Sequence, residues 1–179
     1  MMSFTIHTIE TGPDTSIPML KESLASFGMI PNLHGVMAEA PTVLEAYKTL
    51  HELFQKSSFN NEELTVIWQT INVEHNCGYC IPAHAGVAQM MKVDSAISEA
   101  LRSGVKLDNE ALQVLHETTL ALVRNRGVVS DEVLRLFFEQ GYKKQQLLEI
   151  ILGISQKVMS NYINHLADTP VDKMFKAFI

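Results

Sequence analysis

Two thiols, an imidazole and a carboxylate fall within one short stretch, Glu74-His75-Asn76-Cys77-Gly78-Tyr79-Cys80-Ile81-Pro82-Ala83-His84. Cys77 and Cys80 are the only cysteines in the chain. Two thiols at i and i+3 can close a short disulfide and reopen it without unfolding the protein around them. On a single helix, Cys77, Cys80 and His84 would share one face. Pro82 is tolerated in a helix mainly in its first turn, so a helix is expected to start near Cys77-Cys80. A thiol at a helix N-terminus meets unpaired N–H groups and the positive end of the dipole, which favour thiolate. Such surroundings bring a free thiol from about 8.5 to roughly 3.5–7.5. His84 is placed to take or stabilise the proton. Glu74, one turn ahead of Cys77, could orient that base or carry the proton outward.

Other chemistries fit the stretch less well. Zinc wants four ligands, and Cys77, Cys80, His84 and one carboxylate on one helix seldom close a tetrahedron. Haem attachment needs His directly after the second Cys, where this chain has Ile81. A thioredoxin-like protein needs a βαβ context. The remaining histidines, His7, His34, His51, His75, His116 and His165, show no partner pattern, although His75 is near enough to watch.

The elements that must position these groups read as helices. Leu20, Leu24 and Phe27 form one stripe, ended by Gly28, and the chain restarts at Ile30-Pro31-Asn32 and Ala40-Pro41-Thr42. Val43, Ala46, Tyr47, Leu50 and Phe54 form the next. Asn60-Asn61-Glu62-Glu63 reads as a cap with an acidic first turn, leading into Leu64, Ile67, Trp68, Ile71 and Val73. Asp94, Asp108 and Ser130 open further helices closed by Gly104, Gly127 and Gly141, and a long one runs from about Lys143 to Ala167. With no period-2 alternation, the expectation is an all-α bundle of seven or eight helices. Residues 1–179 are expected to form a single domain, with the redox motif at 74–84.

The composition, 46% hydrophobic and 19% charged, is that of a globular chain. Its formal charge of −6 argues against a nucleic-acid partner. The first residues, from Met1 to His7, show neither a basic region nor an apolar run of a secretory signal. The most apolar stretch, Leu147 to Ile154, is too short and polar for a membrane span. The expected address is the cytoplasm, with no membrane partner.

The stretch Asn76-Cys77-Gly78-Tyr79-Cys80-Ile81-Pro82-Ala83-His84 resembles the core motif of alkylhydroperoxidase D-like proteins of the carboxymuconolactone decarboxylase superfamily. Gly28-Met29-Ile30-Pro31-Asn32-Leu33 with Ala40-Pro41, and Asn161-Tyr162-Ile163-Asn164-His165 with Thr169-Pro170, resemble its uncharacterised peroxidase-related branch. The resemblance implies an all-α bundle assembled as a homo-oligomer, trimer or hexamer. It implies an antioxidant dithiol peroxidase that needs no cofactor or metal. Its partners would be a hydroperoxide substrate and an external dithiol or thioredoxin-like reductant. By position, Cys80 matches the thiol that attacks peroxide, Cys77 the resolving thiol and His84 the relay histidine. The family's relay glutamate falls where this chain has Thr65, and its histidine between the cysteines is here Tyr79. Glu74 is therefore the first choice for the relay carboxylate, with Glu63 or Glu62 second. A redox sensor or binding protein, and a decarboxylase or lactone-processing enzyme on the same scaffold, are the alternatives.

Overall fold

The computed structural model describes residues 4–179, and Met1 to Ser3, part of the segment read for a secretory signal, lie outside them. Among the described residues the chain forms nine α-helices, a C-terminal 3-10 helix and no strand. The helices are α1 (Ile17–Phe27), α2 (Asn32–Met37), α3 (Pro41–Gln55), α4 (Asn61–Glu74), α5 (Cys80–Met90), α6 (Ser95–Ser103), α7 (Glu110–Arg124), α8 (Asp131–Glu139) and α9 (Lys144–Ala167). The 3-10 helix spans Lys173–Phe178. The two elements beyond the expected number are α2, a six-residue helix too short to show a stripe, and the 3-10 helix, which the sequence presents only as a tail. No helix among the described residues is long and apolar enough to cross a membrane.

α4 is the central helix. Asn60 Oδ1 accepts from the N–H groups of Glu62 and Glu63, and Glu63 Oε2 accepts from Asn60 N–H at 2.8 Å, a reciprocal cap that fixes its start. Every residue from Leu64 to Asn72 is buried, so the helix packs on all sides, against α5, α6, α7 and α9. α9 crosses α3 and α4 closely because Gly153 has no side chain; a Cβ there would meet the Phe54 ring at 2.8 Å.

Two apolar clusters result. One gathers Phe54, Trp68, Ile71, Leu115, Phe137 and Ile150. The other gathers Leu20, Leu44, Tyr47 and Phe175 around Cys77 and Cys80. The 3-10 helix closes onto α5 at Gly86, where a Cβ would meet the Phe175 ring at 2.5 Å.

The junction between α4 and α5 places the thiols. α4 ends at Glu74, and Asn76 turns the chain in the left-handed region at φ 50°, which Asn tolerates better than most residues. Cys77 N–H then donates to Asn72 O at 3.0 Å. Cys80 is the first residue of α5, and Pro82 stands in its first turn, where a missing N–H breaks no helical bond. Cys77 therefore lies in the turn before α5 and shares no helix face with Cys80 and His84. Pro82 marked the start of α5 to within a turn.

Candidate active site

Cys77 and Cys80 are both buried and both free thiols. Cys80 N–H donates to Cys77 Sγ at 3.4 Å, and Asn164 Nδ2 donates to Cys80 Sγ at 3.2 Å. Burial pushes the Cys80 thiol up. The hydrogen bond from Cys77, the positive charge of Lys157 and the amides of Asn164 and Asn161 outweigh it, bringing the group down to about 5. Cys77 moves the other way, held up by its hydrogen bond to Cys80, by burial and by the neighbouring negative charge. The two shifts run in opposite directions and favour the thiolate at Cys80 over Cys77.

Lys157, on α9, is fully buried, and its Nζ lies 2.9 Å from His84 Nε2 on α5. Burial lowers its pKa, while the charges of Cys80 and Cys77 pull it back up. A buried ammonium is stable only with a partner charge, and the Cys80 thiolate supplies one. His84 is driven well below the usual histidine range by burial, by the charge of Lys157 and by His51. Its ring is neutral, packs 4.9 Å from the Trp68 ring centre, and leaves Nδ1 buried with no hydrogen-bond partner.

A second layer of neutral polar groups surrounds this pair. Trp68 Nε1 donates to Gln156 Oε1 at 2.9 Å, and the Gln156 amide donates to His51 Nδ1 at 3.4 Å. Burial and the Lys157 charge bring His51 down to about 4. Burial, with Lys48 and His51, brings His34 to about 3, and His34 Nδ1 sits 2.8 Å from Ser23 Oγ. Beneath the motif, His75 Nδ1 donates to Asn161 Oδ1, Asn161 Nδ2 to Asn72 Oδ1, and Asn72 Nδ2 to Gln69 Oε1 and Cys80 O. Gln69 Nε2 completes the chain at Ile81 O. These bonds fix the backbone that carries Cys80, since each buried group has its partner.

Tyr79, between the cysteines, lines the cavity beside Cys80 and points its hydroxyl at the C-terminal segment. Its hydroxyl donates to Asp172 Oδ2 at 2.5 Å and accepts from Leu33 N–H at 3.3 Å, while Asp172 Oδ1 accepts from Asn32 N–H. One side chain so joins the motif, the start of α2 and the C-terminal segment. A cavity of about 70 Å³ opens beside the thiolate. Cys80, His84, Lys157, His34 and His51 line it together with Phe27, Met29, Leu33, Tyr47, Met174 and Phe175.

No family model and no curated protein matches this sequence. Solved structures do match. An uncharacterised peroxidase-related protein from Ralstonia eutropha JMP134, described as an alkylhydroperoxidase AhpD core, superposes at TM-score 0.86 and 15% identity, over 98% of this chain and 96% of that one. The fold is that of the AhpD core. A peroxidase-related protein from Silicibacter sp. TM1040 matches at TM-score 0.81 and 16% identity, over 97% and 95% of the two chains. The debrominase Bmp8, a cysteine-to-alanine variant in complex with 2,3,4-tribromopyrrole, matches at 0.82 and 17%, over 99% and 96%.

Within this AhpD-core fold, Cys80 and His84 line one cavity, and Cys77 lies against Cys80 from the turn before α5. Glu74 does not join them. It is the last residue of α4, and Arg124 Nε and Nη2 grip its carboxylate at 2.9 and 2.8 Å and hold its pKa below the ordinary value. It does not line the cavity, and neither do Glu63, bound in the α4 cap, nor Glu62. Among the described residues no group of three or more His, Cys, Asp or Glu side chains gathers as metal ligands.

Lys157, Asn161 and Asn164 are the residues that sequence reasoning missed. A signal was present: Lys157, Ser160, Asn161 and Asn164 recur at i, i+3, i+4 and i+7, one helical face, and all four are buried. α9 turns this polar stripe inward and leaves Leu148, Tyr162 and Leu166 exposed, reversing the usual arrangement.

Proposed function

We propose that this protein is a thiol-dependent peroxidase that reduces small, largely apolar hydroperoxides. The observation that carries the reading is the placing of the dithiol: Cys80 lines an apolar cavity and its sulfur accepts from Asn164, with the free thiol of Cys77 next to it. Cys80 Sγ attacks the terminal oxygen of the peroxide, the O–O bond breaks, and Cys80 sulfenic acid and an alkoxide form. Cys77 Sγ then displaces hydroxide from that sulfur, giving a Cys77–Cys80 disulfide and water once the thiol proton is counted. An external dithiol returns both cysteines to their reduced forms. The names of the structures with this fold support peroxide chemistry.

A second reading is favoured by the aromatic walls of the cavity and by the debrominase among the similar structures. There Cys80 would attack a ring halogen, leaving a carbanion that takes a proton. Cys77 would then expel the halide as the disulfide closes. Both readings use one dithiol and differ in the atom attacked. Steady-state consumption of an organic hydroperoxide with a panel of dithiol donors supports the first. Halide release from a small brominated aromatic, with no hydroperoxide consumed, supports the second.

A further inference from the structure

The alkoxide expelled from a hydroperoxide is a strong base and needs a proton as the O–O bond breaks. The thiolate has none to give, and among the described residues no carboxylate lines the cavity. We infer that this proton comes from Lys157 and passes through the His84 ring, entering at Nε2 and leaving from Nδ1. The inference rests on the peroxidase reading and assigns His84 to the substrate's oxygen and not to the sulfur.

The geometry makes the assignment. An ammonium can only donate, so with Lys157 charged, the 2.9 Å contact obliges His84 Nε2 to accept. A neutral imidazole that accepts at Nε2 carries its hydrogen on Nδ1. Nδ1 is buried and has no protein partner, and His84, 7% exposed, lines the cavity beside Cys80. A buried donor left unpaired is costly, and a substrate oxygen is the partner the cavity lacks. No hydrogen bond joins His84 to either sulfur among the described residues, because Lys157 occupies the nitrogen a thiol would need.

The step balances. Cys80 S⁻ and ROOH give Cys80 sulfenic acid and RO⁻. RO⁻ takes the Nδ1 proton while Lys157 delivers one to Nε2, which leaves ROH, a neutral amine and the other neutral tautomer of His84. The buried ion pair is consumed, so no unpaired charge remains in the apolar site. Reduction of the disulfide by an external dithiol supplies two protons, one to Cys77 and one to Lys157, and restores the starting state.

The test compares three reagents on the intact reduced protein. Iodoacetamide loses iodide and needs no proton, an alkyl hydroperoxide needs one, and an aromatic peracid expels a stable carboxylate. His84→Gln keeps an oxygen for Lys157 but cannot relay. It is expected to alkylate at the wild-type rate, to lose about 10²–10⁴-fold with the alkyl hydroperoxide, and to recover most of that loss with the peracid. Lys157→Met is expected to slow all three. His84→Gln slowing alkylation as much as peroxide reduction would overturn the relay and return His84 to the sulfur, and failure of the peracid to recover the loss would overturn it too. A wild type that alkylates readily but leaves the hydroperoxide intact would overturn the peroxidase reading instead.

Discussion

Asn164 Nδ2 lies 3.2 Å from Cys80 Sγ, although the two residues stand 84 positions apart in the chain. α9 makes that contact possible by facing its amides and Lys157 inward. A hydrogen bond to a charged group contributes about 1.5–3 kcal/mol, which corresponds to about one to two pKa units. Asn164→Leu should therefore raise the Cys80 thiol pKa by that amount, read from ultraviolet thiolate absorbance against pH. An unchanged titration would mean that the amide does not hold the thiolate.

The reactivity of Cys80 should follow its own titration. With the thiol at about 5, thiolate dominates at neutral pH and is lost as pH falls. Alkylation by iodoacetamide should be flat between about pH 7 and 6, halve near 5, and drop roughly tenfold per unit below that. Lys157→Met removes the stabilising charge, so its profile should shift toward the ordinary thiol range, near 8.5. A wild-type inflection already in that range would contradict the charge pairing.

Stability should fall in mild acid for a separate reason. His34 and His51, at about 3 and 4, stay neutral in the fold below the pH at which an unfolded histidine, near 6.5, takes up a proton. The unfolded chain then binds more protons, so stability rises with pH. The sign is a loss between about 6.5 and 4, at up to about 1.4 kcal/mol per pH unit for each histidine. Thermal unfolding in a pH series should show Tm dropping through this window, less steeply in His34→Gln. Equal slopes in the two proteins would exclude His34 as a source.

Tyr79→Phe removes one hydroxyl and leaves the buried Asp172 carboxylate and Leu33 N–H short of a partner. The expected destabilisation is about 1–3 kcal/mol, measured as a lower denaturant midpoint with an unchanged slope. A midpoint equal to that of the wild type would show that the tie between the motif and the C-terminal segment carries no stability.

The helical class, the cap at Asn60, the start of α5 near Pro82 and the placing of Cys80 and His84 one turn apart on α5 were legible in sequence, because each rests on local spacing; Cys77 falls outside that helix face because α5 starts only at Cys80. What was not legible is long-range. Glu74 looked suitable by proximity to Cys77, yet Arg124, fifty positions away, holds it elsewhere. Nothing local marks Lys157, since its burial depends on which face of α9 meets α4 and α5. The stripe it forms with Ser160, Asn161 and Asn164 was the available sign, and only an inward-facing polar stripe gives it meaning.

The central claim, that Cys80 attacks and Cys77 resolves, is tested most directly by a single turnover. Reduced protein mixed with one equivalent of an organic hydroperoxide should yield one equivalent of alcohol and a monomer mass lower by two hydrogens. Cys77→Ser should stop at a mass one oxygen higher, trapped as sulfenic acid at Cys80, and Cys80→Ser should leave the hydroperoxide intact. Sulfenic acid at Cys77 in the Cys80 variant, or disulfides formed only between chains, would contradict the account.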